Sequence, residues 1–546
     1  MSQTIASDTF AHSSLRVHVA DNVRVALKDL PVAHEVEDNN RLVRLVEPIR
    51  HKHKFALEDL AEGESVIMYG VTVGRAIRAI AAGAAITTDN VEHSTDSSQP
   101  QGRHDHWNAP EVSAFQGMTF DGYHRPDGRV GTANVWLVVP LVFCENRNIE
   151  VLRQCVADAL GEDPYRDYKR MARELLHGRA AFKPEPAPRQ RLFPNVDGVR
   201  FLTHTLGCGG TDDDAQALCQ LLAGYICHPN VAGATVLSLG CQKSQIGMLK
   251  AAVAERDPNG LRPVHYFEQQ ATGSEEALIR EALTTIFDGL AEANRVTRTP
   301  APLSELTIGL ECGGSDGFSG LSANPLVGAV IDRLVALGGS GILSEFPELC
   351  GVEHELIARC RDTRVAERFR QLMDAYQRHA ASVGAHFSMN PSPGNIRDGL
   401  ITDAMKSAGA AKKGGDSPVV DVLDYTEPTV RKGLNLLCTP GNDVESTTAL
   451  VGSGANLVMF TTGLGTPTGN PVAPVLKIAS NSELATRMPD VIDFDAGPII
   501  RGEAQIDELA DKLLRLCVDT ASGRYLPRAV QLAQYDFIPW KRGVSL

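Results

Sequence analysis

Four cysteines each close an apolar, strand-like run: Cys144 after VWLVVPLVF, Cys208 after FLTHTLG, Cys241 after ATVLSLG and Cys312 after LTIGLE. Ligands of α/β sheets bind at the carboxyl ends of the strands. Thiols gathered there hold a soft metal or act as nucleophiles. Cys312 also opens the densest polar and glycine-rich segment, Glu311-Cys-Gly-Gly-Ser-Asp-Gly-Phe-Ser-Gly320. Gly313 and Gly314 make room for close backbone approach, while Cys312, Ser315 and Asp316 supply a thiolate, a hydroxyl and a carboxylate. The plainer alternative is a strand-to-helix turn capped by Ser or Asp. His204 shortly precedes Cys208, so the two could touch one ligand; a satisfied buried histidine is the competing reading. Lys243 follows Cys241 and could bind an anionic carboxylate. A single cysteine is usually a small buried hydrophobe, but four at strand ends shift that balance.

Several loops add polar groups. NPSPGN ends at Asn395, TPGND contains Asn442, and Gly463-Leu-Gly-Thr-Pro-Thr-Gly469 follows a strand that ends at Thr462. Lys412 and Lys413 add cationic heads. Such a hydroxyl- and amide-rich cleft suits a polyhydroxylated acid, because each ligand hydroxyl demands a partner. There is no GxxxxGK[ST], and the glycines at 463–469 do not match the dinucleotide fingerprint, so phosphate-loop and redox readings lack support.

The elements that must position these groups follow from periodicity. Strand candidates run over 135–143, 199–206, 233–239, 306–310, 340–344, 418–423, 456–461 and 474–478, and helix candidates over 149–160, 213–226, 275–294, 325–337 and 365–383. Their alternation predicts parallel or mixed sheets covered by helices. Residues 12–93 instead carry short strands and turns, as a small β-rich domain does. The polar stretch 94–118, with His104 and His106, reads as a linker. The turn-rich stretch 295–304 separates two α/β lobes, 119–300 and 301–546. The expected fold is therefore α/β multidomain.

A chain of 546 residues exceeds one hydrophobic core. A net charge of −14 argues against non-specific nucleic-acid binding. No apolar run approaches the ~20 residues that span a bilayer, so no membrane association is expected. The first residues lack the basic and apolar regions of a signal peptide. Eleven cysteines without regular spacing or a CxxC do not read as a disulfide framework or zinc ribbon, and a reducing cytoplasm is the simplest location.

Taken in order, these segments resemble the altronate/galactarate dehydratase family of sugar-acid dehydratases. The N-terminal unit is similar to that family's SAF-type domain, through HVADNV at 18–23, HKFAL at 53–57 and VIMYG at 66–70. The rest matches through FDGYHRPDGRVG at 120–131, ECGGSDGFSG, NPSPGN, TPGNDVESTTALVGSG, FTTGLGTPTG, Asn481-Ser-Glu-Leu484 and Asp493-Phe-Asp-Ala-Gly497. The C-terminal Arg542-Gly-Val-Ser-Leu looks more like altronate than galactarate dehydratases. Two positions depart from the pattern: Ala133 stands where many relatives carry a basic residue, and Thr87-Thr-Asp-Asn90 replaces a histidine-rich motif.

The resemblance implies removal of water from an aldonic or aldaric acid, with D-altronate giving 2-dehydro-3-deoxy-D-gluconate. Galactarate, another sugar acid or a sulfonated hydroxy acid are the alternatives, and a sugar-acid-binding protein without chemistry is the non-enzymatic one. It implies Fe2+, either as an ion or as an iron–sulfur cluster with an open iron, with Mn2+ as a substitute. On this reading Cys144, Cys208, Cys241, Cys312, His18 and His53 are the metal candidates. His204 or Lys243 takes the C2 proton, with Asp316 and Ser315 assisting. Asn134, Gly313, Gly314, Asn395, Asn442, Thr462 and Gly463 bind substrate. A homo-oligomer is compatible with this reading.

Overall fold

The computed structural model describes residues 13–39, 41–95, 107–161, 163–178 and 191–545. His104 and His106 lie outside the described residues. In the N-terminal unit, Ser14–Leu15, Val23–Ala26 and Lys54–Ala56 form one antiparallel sheet, and Ser65–Met68, Val71–Ala76 and Val91–Glu92 form another. Glu35–Asp38 pairs with Arg41–Arg44 as a hairpin. Short strands and frequent turns produce this β-rich unit, with Val23–Ala26 and Lys54–Ala56 buried at every residue.

A four-stranded parallel sheet follows, in the order Gly198–Phe201, Val135–Pro140, Val231–Ser238, Val264–Glu268. Every residue of Val135–Pro140 is buried, as expected for a strand covered on both faces. Helices Asn146–Leu160, Asp212–Ile226, Ile246–Arg256 and Glu275–Ala293 supply the cover. A second parallel sheet has seven strands in the order Val419–Leu423, Gly433–Leu437, Ser340–Leu343, Thr307–Cys312, Leu457–Thr462, Val475–Ala479, Phe494–Asp495. The alternation read from sequence thus produces an α/β multidomain fold with two parallel sheets.

The turn-rich stretch 295–304 contains a strand, Thr299–Pro302, which pairs antiparallel with Thr119–His124. Its two prolines hid it, and both sit on this edge strand, where a missing N–H costs no ladder bond.

The two parallel sheets share a base. Thr132 Oγ1 donates to Asn456 O at 2.5 Å, Asn230 Nδ2 bonds the same carbonyl at 3.3 Å, and His228 Nε2 meets Ala455 O at 3.0 Å. These residues precede Val135–Pro140, Val231–Ser238 and Leu457–Thr462, so both sheets start at this base and present their carboxyl ends away from it. Helices Asp212–Ile226 and Asp443–Gly452 pack together above it, with Tyr225 Oη donating to Thr448 O at 3.1 Å. One apolar cluster, including Leu137, Val236, Leu450 and Phe460, runs between the sheets. Among the described residues no helix is long and apolar enough to cross a membrane.

Candidate active site

Cys312 ends the central strand of the seven-stranded sheet and is buried. Its thiol lies 3.2 Å from Glu348 Oε2 and 3.5 Å from Glu345 Oε2. Lys413 Nζ stands 2.9 Å from the sulfur and 2.7 Å from Glu345 Oε2. Lys406 Nζ pairs with Glu348 Oε1 at 2.6 Å. Burial, then Glu345 and Glu348, push the thiol well above its ordinary range, so it stays protonated. Burial opposes the Lys413 ammonium, yet Cys312 and then the carboxylates around it hold its pKa up. Burial and Glu345 also raise Glu311, whose Oε2 accepts from Ser446 Oγ at 2.7 Å. Glu345 adopts φ +65°, a left-handed conformation of the kind that clusters at functional sites.

Beside this group stands Lys477, in the middle of Val475–Ala479. Its amine is fully buried and has no hydrogen-bond partner among the described residues. It sits 3.3 Å from the centroid of the Phe460 ring. Burial lowers its pKa to about 7, so near neutrality much of it is uncharged. The opposing charge that acts on it most strongly is Asp443, which burial and then Glu345 raise to about 6. Gly313 makes this packing feasible: a methyl there would sit 2.0 Å from Asp443 Oδ2 and 2.6 Å from Phe460 Cζ. Gly313→Ala is expected to cost about 1–3 kcal/mol through overpacking, measured by denaturant unfolding, and to lower turnover by displacing Asp443.

The other three strand-end cysteines come together on the four-stranded sheet and are exposed. They follow three adjacent strands: Cys208 after Gly198–Phe201, Cys144 after Val135–Pro140 and Cys241 after Val231–Ser238. Burial, then the Cys208 thiol, with Cys241 also contributing, push Cys144 above its ordinary range. Cys208 and Lys243 line a 250 Å³ cavity with Thr205, Gly209, Gly210, Ser244 and the C-terminal Lys541 and Ser545. Lys243 pairs with the exposed Asp212 at 2.9 Å.

Other expected site residues have structural partners. His204 is buried; its Nε2 meets Pro140 O at 2.8 Å and its Nδ1 accepts from Leu206 N at 3.1 Å. Burial lowers it to about 4. With both ring nitrogens engaged, it is placed to hold the Cys208 loop rather than to take a proton. Asp316 is buried and accepts from Ser319 Oγ, Phe318 N, Ser480 Oγ and Asn481 Nδ2 besides pairing with Lys52. Asn395 Nδ2 donates to Ser315 O at 2.7 Å. Asn442 caps Asp443–Gly452, Thr462 Oγ1 accepts from Gly465 N and Thr466 N, and Gly463 N donates to Gly314 O. Asn134 lies at the opposite end of its sheet, at the start of Val135–Pro140, bonding Asn195 O and Ala293 O. His18 accepts from Ala20 N through Nδ1, and His53 Nδ1 meets His51 O, so neither joins the cysteines.

Charge decides which group suits a metal. Cys312, Glu345 and Glu348 have ligand atoms within 4.8 Å of one another, but Lys413 and Lys406 already neutralise both carboxylates and the thiol keeps its proton. A dication does not fit there. His93, Cys350 and Asp403 also lie within 4.8 Å, with His93 Nδ1 occupied by Ala404 N at 3.3 Å and burial raising Asp403 to about 9. The exposed thiols Cys144, Cys208 and Cys241 offer soft donors that suit iron, with Lys243 turned to Asp212.

Three family models cover the chain: "Altronate/galactarate dehydratase SAF domain" over residues 12–94, "D-galactarate dehydratase/Altronate hydrolase, second domain" over 122–294 and "D-galactarate/Altronate dehydratase, C-terminal" over 303–545. Altronate dehydratase of Escherichia coli (strain K12) is 35% identical over 511 residues, 93% of this chain and 95% of the relative. Altronate dehydratase of Bacillus subtilis (strain 168) is 34% identical over 94% of this chain and 95% of its own. Galactarate dehydratase (L-threo-forming) of Escherichia coli (strain K12) is 32% identical over 93% of each. The chain belongs to the altronate/galactarate dehydratase family, N-terminal SAF domain included. It is an enzyme, a hydro-lyase of the sugar-acid dehydratase class.

Proposed function

We propose that this enzyme dehydrates D-altronate to 2-dehydro-3-deoxy-D-gluconate and depends on iron. The observation that carries the substrate is the near full-length identity with two altronate dehydratases, at 35% and 34%. The altronate-like C-terminus, Arg542-Gly-Val-Ser-Leu, supports it. Its Arg542 and Gly543 N–H groups donate to Asp214 beside the cysteine loops.

The difficult step is removing the weakly acidic C2 proton beside a carboxylate. Lys477, with a pKa near 7 and no hydrogen-bond partner among the described residues, is the base. Asp443, held near 6, returns a proton to the departing C3 hydroxyl. Two adjacent groups shifted toward neutrality from opposite sides suit such a division of labour. Lys243 lines the cavity beside Cys208 together with Gly209 and Gly210. His204, Asp316 and Ser315 hold the loops that carry these groups. Iron at the strand-end thiols would supply Lewis acidity toward the carboxylate and hydroxyl oxygens. On this reading the SAF unit 12–93, the linker 94–118 and the lobes 119–300 and 301–546 act as one cytoplasmic enzyme.

The test is a panel of aldonates and aldarates, assayed with anaerobically purified, iron-supplied enzyme for 2-keto-3-deoxy acid. D-altronate is expected to give the highest kcat/KM. A preference for galactarate would reassign the substrate, and no keto product from any acid would overturn the enzymatic reading of the site.

A further inference from the structure

His93, Cys350 and Asp403 come from three separate parts of the chain. His93 follows Val91–Glu92, the last strand of the SAF unit. Cys350 follows the 3-10 turn Phe346–Leu349, which carries Glu348. Asp403 opens the helix Asp403–Ala410, which carries Lys406. Close contacts fix these segments before any ligand arrives. Thr402 Oγ1 donates to Val73 O of the SAF unit at 2.5 Å. Gly351, at φ +89°, lets the SAF chain lie against it: a methyl there would stand 2.5 Å from Thr95 Cγ2. One imidazole, one thiol and one carboxylate thereby have ligand atoms within 4.8 Å of one another.

Asp403 is 1% exposed, yet neither of its carboxylate oxygens has a hydrogen-bond partner among the described residues. The Ser407 hydroxyl, which approaches from the next turn, is also left without one. Lys406 acts on Asp403 from a distance but is engaged by Glu348 Oε1 at 2.6 Å and Asn390 Oδ1 at 3.1 Å. Glu353 adds further negative charge beside Cys350 and Asp403, its Oε2 accepting from Gly351 N at 2.7 Å. Orphaned buried groups of this kind call for a ligand. The Cys312 group differs, because Lys413 and Lys406 already neutralise its carboxylates. Burial and then His386 lower the His93 ring, so near neutrality it is uncharged and has a lone pair to give. Its bond from Ala404 N, at 3.3 Å, is long and gives way to a stronger ligand.

We propose that His93, Cys350 and Asp403 bind one divalent cation of the zinc class, which ties the end of the SAF unit to the turn and helix that bring Glu348 and Lys406 together. Imidazole, thiolate and carboxylate are all zinc donors, and a water completes the tetrahedron. Zinc holds sulfur at about 2.3 Å and nitrogen or oxygen at about 2.0–2.2 Å. Ligand atoms already within 4.8 Å of one another need only small side-chain rotations to reach it. The thiolate and the carboxylate together cancel the charge of the ion. On binding, the S–H bond of Cys350 breaks, a metal–sulfur bond forms and the proton leaves to solvent, with no change of oxidation state. This site is separate from the three exposed thiols and does not depend on the substrate assigned above.

The full-length chain is stripped with a chelator and titrated with zinc, and the bound metal is counted per chain. Cobalt then replaces zinc, and the visible spectrum reports thiolate-to-cobalt charge transfer. Metal held by other thiols is common to parent and variants, so the differences between them carry the answer. The parent is expected to hold about one more zinc per chain than His93→Gln, Cys350→Ser or Asp403→Asn, as one three-ligand site requires. The parent-minus-Cys350→Ser cobalt spectrum should show the charge-transfer band. Cys155→Ser, which removes an exposed thiol on Asn146–Leu160, should match the parent. Asp403→Asn removes an orphaned buried carboxylate, so its metal-free form should unfold at or above the parent's temperature; loss of metal there is not loss of fold. Zinc should raise the unfolding temperature of the parent more than that of the three variants. Equal zinc content and identical cobalt spectra in parent and Cys350→Ser overturn the site, whatever the turnover.

Discussion

Replacing Lys477 with methionine is expected to lower kcat by about 10²- to 10⁴-fold, the usual contribution of a positioned base, while making the protein more stable. The two effects have one cause. The Lys477 amine is fully buried, lies over Phe460 and has no hydrogen-bond partner among the described residues. A buried polar group without a partner costs free energy, so its presence calls for a functional explanation. Methionine keeps the length and places a thioether near the aromatic ring, a favourable contact. The sign of the pH dependence follows. The amine titrates at its ordinary value of 10.5 in the unfolded chain and at about 7 in the folded one. Between these values the unfolded chain holds a proton that the folded chain lacks, so parent stability rises with pH across this window. The penalty is complete below pH about 7, and at about 1.4 kcal/mol per unit it reaches several kcal/mol. The stability advantage of K477M should therefore be largest at and below pH 7 and fade toward pH 10. Lys54, also lowered to about 7 by burial, is present in both proteins and cancels. Denaturant unfolding of parent and variant across this range measures the difference. A variant that turns over like its parent removes Lys477 from the chemistry; one that is less stable at pH 7 shows that the amine has a partner in solution.

Lys477 also marks where sequence reading stopped. The run VAPVLKIAS reads as a buried strand, and its one lysine was the available signal, since a charge in a strand covered on both faces needs a reason. Lys413 read as a cationic head on a flexible loop, but that loop packs down and places the ammonium against Glu345, far away in sequence. Glu345 and Glu348 carried no sequence pattern at all, because their meaning comes from the neighbouring strand that ends in Cys312. Long periodic elements were legible: the helix expected over 213–226 is Asp212–Ile226, and the strand expected over 340–344 is Ser340–Leu343. The strand Gly433–Leu437 was not, because Asn435 interrupts its apolar run; that amide is buried and spends its Nδ2 on Arg431 O and Gly433 O. The cysteines were visible as strand ends, but strand order decides which of them meet. Order comes from tertiary packing, and it unites Cys144, Cys208 and Cys241 while leaving Cys312 among carboxylates.

Asp316→Asn is expected to destabilise the protein by about 3–5 kcal/mol, the cost of breaking a buried ion pair from one side. For 546 residues unfolding together that corresponds to a fall in Tm of roughly 3–4 °C. Lys52 of the SAF unit places its Nζ 3.0 Å from Asp316 Oδ2 and 3.3 Å from Asp398 Oδ1. The Asp316 side chain is wholly inaccessible and that of Lys52 is 9% exposed, so water cannot replace the lost charge. Asparagine keeps the shape but turns one acceptor into a donor facing Lys52, Asn481, Ser480 or Phe318 N, every one of them a donor to the carboxylate. Glycines next to both acids belong to the same contact: a methyl at Gly317 or at Gly399 would stand 2.3 Å from Lys52 O. The SAF unit thus rests directly on the loop that carries Gly313 and Gly314, and loosening it shifts the packing over Asp443. A double-mutant cycle with Lys52→Met separates the pair from the rest of the network. Neighbours that share an ion pair couple by about 0.5–3 kcal/mol, so the double variant should lose less than the sum of the two single losses. Strictly additive losses would show that Asp316 acts through its hydrogen bonds alone, and that the SAF unit is held by its backbone contacts rather than by this charge.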